Sequence, residues 1–338
     1  SRPGDLVYDP FSGRGTTALE AGLLGRAVAA NDVNPLSRIL LEPRFNPPEA
    51  KEVADRLDAL LREAAAPGDD GIDLAMFYHP DTEREIRQLR AALRARREDG
   101  RADALDQWIR MVATNRLTGH SPGFFSVYSL PPNQAVTQES QRRINERLGQ
   151  TPTYRDTRAI ILRKTRSLLR NVTDAQRKAL KRAGASAVFL TGDARRTPGL
   201  ADGSVALSVT SPPFLDVVDY ATDNWLRCWF TDIDAGEIAS GLTTPRGLAA
   251  WSDVMGAVMI ELHRVTRPGG HLAFEVGEVR GGRIRLDEAV LPLGEAAGFS
   301  PVGVWINTQR FTKTSNIWGV SNNTRGTNTN RVVVFQKP

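Results

Sequence analysis

Leu6-Val7-Tyr8-Asp9-Pro10-Phe11-Ser12-Gly13-Arg14-Gly15-Thr16-Thr17-Ala18 is the stretch that decides how this chain folds. Residues 5–9 read as a strand, residues 16–24 as the helix that follows, and residues 26–31 as a second strand ending at Asp32. Between strand and helix, Gly13-x-Gly15-x-x-Ala18 matches the glycine fingerprint of a nucleotide-binding βαβ unit. In that reading Gly13 permits the tight turn, Gly15 lets the backbone approach a ligand, and Ala18 allows close helix–strand packing. Asp32 stands seventeen residues past Gly15, where an acidic side chain can take both ribose hydroxyls of an adenosine moiety. The plain alternative is a pair of glycines that only make a turn.

Asp9 narrows the choice of nucleotide. A carboxylate just ahead of the loop repels a pyrophosphate and favours a cationic or amine-bearing ligand. S-adenosylmethionine, with a sulfonium and an α-ammonium group, suits that position better than a dinucleotide does.

A second stretch carries the chemistry. Residues 204–209 read as a buried strand, and Thr210-Ser211-Pro212-Pro213-Phe214 ends it. Proline cannot continue a ladder, and the residue before each proline is held extended, so the backbone leaves the sheet as a stiff loop. The loop offers the Ser211 hydroxyl, the Pro212 carbonyl and the Phe214 ring: two acceptors and a stacking face for a planar, amine-bearing ring. A turn with Phe214 packed inside is the alternative. Just before it, residues 187–191 read as a strand ending in Gly192-Asp193-Ala194. Asp193 can accept from an adenine amino group or can simply cap the turn.

The remaining 338-residue chain frames these motifs. A hydrophobic content of 41% supports a real core. The lone Cys228 excludes an internal disulfide and agrees with a cytoplasmic location, and the 4 scattered His residues make no zinc pattern, so no metal is expected. No apolar run is long enough for a bilayer, so no membrane partner is expected. The chain opens Ser1-Arg2-Pro3-Gly4-Asp5 without a signal-peptide h-region, and so abruptly that the reading leaves room for residues upstream. Helices are expected at 49–65, 82–97, 101–117, 138–148, 155–170 and 174–183, the last opening with a Thr173-x-x-Gln176 capping box. Residues 46–185 therefore read as a helical insertion. Within it, residues 141–182 hold thirteen Lys/Arg against Glu146, Asp156 and Asp174, a local net of +10 in a chain whose total is +5. Such an excess suits phosphate contact; a solvated helix face is the alternative. The aromatic loop at 119–133 reads either as packed or as facing nucleic acid. Residues 219–230 carry Tyr220, Trp225, Trp229 and the lone Cys228; a helix is expected at 246–265, broken by Arg267-Pro268-Gly269-Gly270, and then a strand at 271–276. A helix at 287–297 and strands at 302–306 and 331–336 complete the pattern, the strands separated by a polar loop at 307–330. Two strands before the insertion and five after it, alternating with helices, make an α/β, doubly wound, seven-stranded and mostly parallel sheet with one antiparallel member. In such a sheet ligands bind at the carboxyl ends of the strands, where Asp9–Gly15, Asp32, Asp193 and Ser211–Phe214 all fall.

Asp9-Pro10-Phe11-Ser12-Gly13-Arg14-Gly15-Thr16-Thr17, taken with Ser211-Pro212-Pro213-Phe214, resembles the amino-group DNA methyltransferases of bacterial restriction–modification systems. The Ser-Pro-Pro-aromatic form is similar to the cytosine-N4 branch; adenine-N6 enzymes usually carry Asp-Pro-Pro-Tyr or Asn-Pro-Pro-Tyr. The resemblance covers roughly residues 1–45 and 186–338, the expected catalytic domain, and not the insertion. It implies a class I methyltransferase-like fold. It also implies S-adenosylmethionine held by Asp9, Pro10, Phe11, Ser12, Gly13, Gly15 and Thr16, with Asp32 on the ribose and Asp193 near the adenine. Catalysis by Ser211, Pro212, Pro213 and Phe214 on a cytosine flipped from double-stranded DNA follows from the same likeness. Two features depart from the family pattern. Its usual cofactor-binding segment upstream of the glycine loop is not in this sequence, and the insertion falls between the second and third strands. Cys228 does not follow a proline, as the nucleophile of ring-carbon methyltransferases does, and reads as core. Rival readings are an adenine-N6 or RNA methyltransferase, a nicotinamide oxidoreductase (disfavoured by Asp9) and a non-catalytic nucleic-acid-binding protein.

Overall fold

A computed structural model describes residues 1–63, 68, 70–129, 135–213, 220–236, 238, 247–279, 284–308 and 329–338. The strands among them are β1 (Leu6–Asp9), β2 (Ala27–Asp32), β3 (Val188–Thr191), β4 (Val205–Thr210), β5 (Thr266–Val279), β6 (Ile284–Arg285), β7 (Ser300–Thr308) and β8 (Thr329–Gln336). The helices are α1 (Thr16–Leu23), α2 (Leu36–Leu41), α3 (Ala50–Glu63), α4 (Pro80–Glu98), α5 (Ala104–Thr114), α6 (Gln138–Leu148), α7 (Thr157–Leu169), α8 (Asp174–Ala185), α9 (Tyr220–Thr231), α10 (Leu248–Val265) and α11 (Leu286–Ala296). None of the described helices is long and apolar enough to cross a membrane.

The strands join in the order β3-β2-β1-β4-β5-β8-β7, with the short β6 paired to β5. β1 to β5 run parallel to one another. β8 is antiparallel to both β5 and β7. The sheet is thus the seven-stranded, mostly parallel, class I methyltransferase-like sheet that the resemblance implies, with β6 as a small addition.

Both faces of the sheet's central strands are buried, and the alternation of side chains along a strand explains why these parallel strands are so apolar. Val7, Val28 and Ala30 pack on one face with Ala18 and Ala21 of α1, Leu41 of α2, and Leu180 and Ala183 of α8. Tyr8 and Ala29, one residue out of step, pack on the other face with Trp251, Met255 and Val258 of α10 and with Leu286 and Val290 of α11. Helices on both faces force each β–α loop to turn at the sheet's edge, and this collects the loops after β1, β2, β3 and β4 along one side.

Two expectations need correction. Arg267-Pro268-Gly269-Gly270 does not separate helix from strand but lies inside β5, where the register with β4 shifts between Val205 and Leu207. A bulge tolerates a proline; Gly269 adopts φ +71°, and its amide donates to the Lys337 carbonyl at 2.9 Å. The late strands are longer than expected, reaching Thr308 and starting again at Thr329. Most of the polar loop between them lies outside the described residues.

The chain divides into two compact units, one of Ser1–Phe45, Lys178–Val218 and Ser240–Pro338, the other of Asn46–Arg177 and Asp219–Ala239. The sequence places residues 219–239 with the catalytic segments; the structure groups them with the helices. Packing explains the difference. Trp229 of α9 donates to Asp70 at 2.6 Å, the Trp225 ring lies 6.0 Å from Phe77, and Arg90 binds Asp232 at 2.8 Å. Cys228 is buried in this unit, and burial pushes its thiol up to about 11, as suits a core residue. The loop at 119–133 is packed as far as it is described: Phe124, Phe125 and Val127 are buried, and the Arg116 guanidinium lies 4.0 Å from the Phe124 ring centroid.

Candidate functional site

β1 delivers Asp9 to the sheet's edge as its last residue, and the side chain is buried. One carboxylate oxygen, Oδ1, accepts from Thr210 Oγ1 at 2.6 Å and from the Phe11 amide at 3.1 Å. Burial pushes the carboxyl up to about 6, while hydrogen bonds from Thr210, Phe11 and Thr17 pull it back. No cation pairs with Asp9 among the described residues. A buried carboxylate held only by neutral donors suits a cationic ligand, whose charge would supply the missing compensation.

The loop after β1 is closed by its own backbone and by β2. Gly15 donates to the Ser12 carbonyl at 2.6 Å, and Ser12 donates to the Asn31 carbonyl at 2.9 Å. The Ser12 and Ser37 hydroxyls meet at 2.8 Å. Gly13 and Gly15 both adopt positive φ, +50° and +78°. Their roles differ from the sequence reading at Gly15. A Cβ there would stand 2.1 Å from Leu41 Cδ1, so the close approach that needs this glycine is to a core leucine.

Asp32 ends β2 and binds the loop directly. Its Oδ2 accepts from the Gly13 amide at 2.8 Å and its Oδ1 from the Asn34 amide at 2.9 Å. Burial raises its carboxyl, opposed by these two bonds. Each oxygen keeps acceptor capacity beyond its one bond, which is what a pair of ribose hydroxyls requires. Asn31, which the sequence reading passed over, ties the neighbouring loops together. Its Nδ2 donates to the Pro10 carbonyl at 3.2 Å and to the Gly192 carbonyl at 2.9 Å. An amide side chain after the apolar run Ala27-Val28-Ala29-Ala30 was the available signal.

Asp193 follows β3 but is already engaged. Arg195 wraps back onto it, with Nε 2.8 Å from Oδ2 and the Arg195 amide 2.8 Å from Oδ1. The adjoining guanidinium holds this carboxyl below its ordinary range. The arrangement has the form of the turn-capping alternative.

β4 ends at Thr210, and the chain leaves the sheet at once through exposed Ser211, buried Pro212 and exposed Pro213. Trp251 of α10 donates through Nε1 to the Pro213 carbonyl at 3.0 Å, pinning the turn from below. Neither Thr210 nor Trp251 was assigned a role from sequence. Phe214 lies outside the described residues. Because β1 and β4 are sheet neighbours, paired Tyr8 to Ser208, the bond from Thr210 to Asp9 joins the last residues of both strands. Pro10, Phe11, Ser12, Gly13 and Thr16 therefore lie on the same edge as Ser211 and Pro212.

Comparison with known proteins adds the following. No protein-family model matches the chain. The Type II methyltransferase M.BsoBI of Geobacillus stearothermophilus is 22% identical over 260 residues, a match covering 70% of this chain and 48% of that relative. The chain thus spans about half the length of the curated relative it matches. A candidate DNA modification methylase of Thermus thermophilus, solved in complex with S-adenosyl-L-methionine, is 22% identical, covers 44% of this chain and 51% of its own, and superposes with a TM-score of 0.27. A structure described as a SAM-dependent methyltransferase of Methanosarcina mazei is 10% identical, covering 100% of this chain and 94% of its own at a TM-score of 0.36.

The basic segment is partly neutralised within the chain. Arg142, Arg143 and Arg158 pair with Asp73, Glu139 and Asp58. Arg155, Arg163 and Arg177 donate to backbone carbonyls. Arg147, Arg166, Arg170, Lys178, Lys181 and Arg182 are exposed and have no ion pair or hydrogen bond among the described residues. They are the cations of the segment that no described residue neutralises.

Proposed function

We propose that the chain is an S-adenosylmethionine-dependent DNA methyltransferase that methylates the exocyclic N4 amine of cytosine in duplex DNA, as part of a restriction–modification system. The observation that carries this reading is the bond from Thr210 Oγ1 to Asp9 at 2.6 Å, because it ties the strand that bears Ser211-Pro212 to the loop that suits the methyl donor. The likeness to a Type II methyltransferase supports it.

The donor fits the residues present. Asp9 offers a buried negative charge lacking a cation, Asp32 offers spare acceptors for a ribose, and the loop from Pro10 to Thr16 offers backbone groups between them. When bound, S-adenosylmethionine supplies an electrophilic methyl group on sulfur. Asp193 joins this set only by releasing Arg195.

The chain's own task is to prepare the nucleophile. A cytosine amine is a poor one, because its lone pair is delocalised into the ring. The base leaves the duplex and stacks on Phe214. Ser211 Oγ and the Pro212 carbonyl then accept its two N–H bonds, which favours a pyramidal nitrogen with a free lone pair. The two prolines keep these acceptors fixed, since neither residue can rotate φ away, and positioning does most of the catalysis. No covalent intermediate is required, in keeping with a buried and unreactive Cys228.

Ser211→Ala tests the assignment. Single-turnover methyl transfer to plasmid DNA should slow markedly, while donor affinity measured by calorimetry stays near that of the unaltered protein. Equal methylation rates in the two proteins would remove Ser211 from the site.

A further inference from the structure

Two arginines beside the glycine loop are without a counter-charge among the described residues. Arg14 sits between the two glycines, exposed to solvent. Arg44 lies in the short 3-10 turn Glu42–Phe45 that follows α2. Arg44 Nη1 is 3.4 Å from the Arg14 carbonyl, which places its guanidinium against the loop. Arg44 Nε is buried and has no hydrogen-bond partner. Neither arginine has an ion pair among the described residues. The acid nearest to Arg44 in sequence, Glu42, is taken by Arg38 at 2.7 Å. Burial, and then the charge of Arg14, hold the Arg44 guanidinium below its ordinary range. Helix α1 starts immediately after, with no side-chain cap and no acid in its first turn, so its positive end adds to the same region.

A half-buried guanidinium with a second cation beside it is unfavourable unless an anion joins them. Planar guanidinium forks match the paired oxygens of a phosphodiester. The methyl donor is a poorer occupant, because it carries an ammonium beside its carboxylate and needs at most one cation. We propose that Arg14 and Arg44 clamp a phosphodiester of the DNA strand beside the methyl-donor loop, a proposal that rests on the DNA reading above. The clamp fixes the backbone next to the nucleotide that leaves the stack, a sequence-independent contact that sets register.

The test uses the full chain and a short duplex of mixed sequence, with affinity measured over a range of salt. Each phosphate contact removed should lower the slope of log affinity against log salt by about 0.9. The clamp is one such contact, so Arg14→Gln and Arg44→Gln should each show part of that drop and the double variant the whole of it, with binding weakened several-fold at low salt. Arg44→Lys, which keeps the charge, should recover most of the slope. Donor affinity of Arg44→Gln should be unchanged. Arg94→Gln, at an exposed arginine already paired with Glu98, is the control and should leave the slope alone. Because Arg44 is partly buried, a poorly folded Arg44→Gln protein leaves the exposed Arg14→Gln variant to decide. Slopes equal to that of the unaltered protein would overturn the clamp alone. Loss of donor affinity at an unchanged slope would assign the pair to the donor's carboxylate and overturn it too. An unaltered protein that binds no duplex at low salt would overturn both the clamp and the DNA reading.

Discussion

Replacing Asp9 by Asn should stabilise the protein and disable it. The carboxyl of Asp9 lies at about 6 rather than the 3.8 of an ordinary aspartate, chiefly because it is buried. At about 1.4 kcal/mol per pH unit, that difference amounts to about 3 kcal/mol of folding stability forgone at neutral pH. The sign follows from proton counting. Between 3.8 and about 6 the folded chain holds a proton on Asp9 that the unfolded chain has lost, so stability falls as pH rises through this window. Above it the full cost is present; below it the cost vanishes. An Asn side chain keeps an oxygen to accept from Thr210 and Phe11 and offers an NH2 toward the Thr17 hydroxyl, yet it carries no charge. Asp9→Asn is therefore expected to raise the unfolding free energy by about 1–3 kcal/mol near pH 8 and by almost nothing near pH 4. Urea unfolding of both proteins at a series of pH values reads this directly. Calorimetry with the methyl donor should show binding lost in the same variant, the trade between stability and function expected of a binding group. A stability difference that stays constant between those pH values would refute the reasoning, because it would mean that no buried charge is being relieved.

Two further outcomes follow from the same loop. Gly15→Ala places a methyl group against Leu41 at a residue with φ +78°, so it should cost about 2–4 kcal/mol in urea unfolding; made in a Leu41→Ala background, which carries its own core-truncation cost, the same change should cost only the backbone share. Affinity for the methyl donor should fall about tenfold for each pH unit below about 6, as protons compete for Asp9, and calorimetry that finds flat affinity there would contradict the pairing of donor and carboxylate.

The parts of the fold that were legible in sequence are those where one local pattern has one meaning. Leu6-Val7-Tyr8 before a glycine turn, and a strand stopped by Pro212-Pro213, leave the backbone few alternatives. The order of strands could not be read from them, but their shared carboxyl edge could, since parallel strands with helices on both faces allow nothing else. Meanings carried by distant partners were hidden. Gly15 is glycine for the sake of Leu41, which lies in another helix. Asp193 is held by Arg195, two residues away, and a sequence cannot say which of two nearby partners a carboxylate takes. Arg267-Pro268-Gly269-Gly270 looks like a break but is a bulge, because Lys337 at the far end of the chain completes its hydrogen bonds. The aromatics at 219–230 carried no assignment in sequence, because their partners are distant: Trp229 donates to Asp70. Thr210 stood in plain view as the residue before Ser211, and only the pairing of β1 with β4 gives its hydroxyl a purpose.

The central claim, that the edge formed by β1 and β4 passes a methyl group to the amine of cytosine, is tested most directly by incubating the protein with plasmid DNA and isotopically labelled S-adenosylmethionine, then digesting the DNA to nucleosides for mass analysis. The expected product is labelled N4-methylcytosine, absent when Ser211 is replaced by Ala. Label found on adenine N6, or on no base at all, would contradict the account.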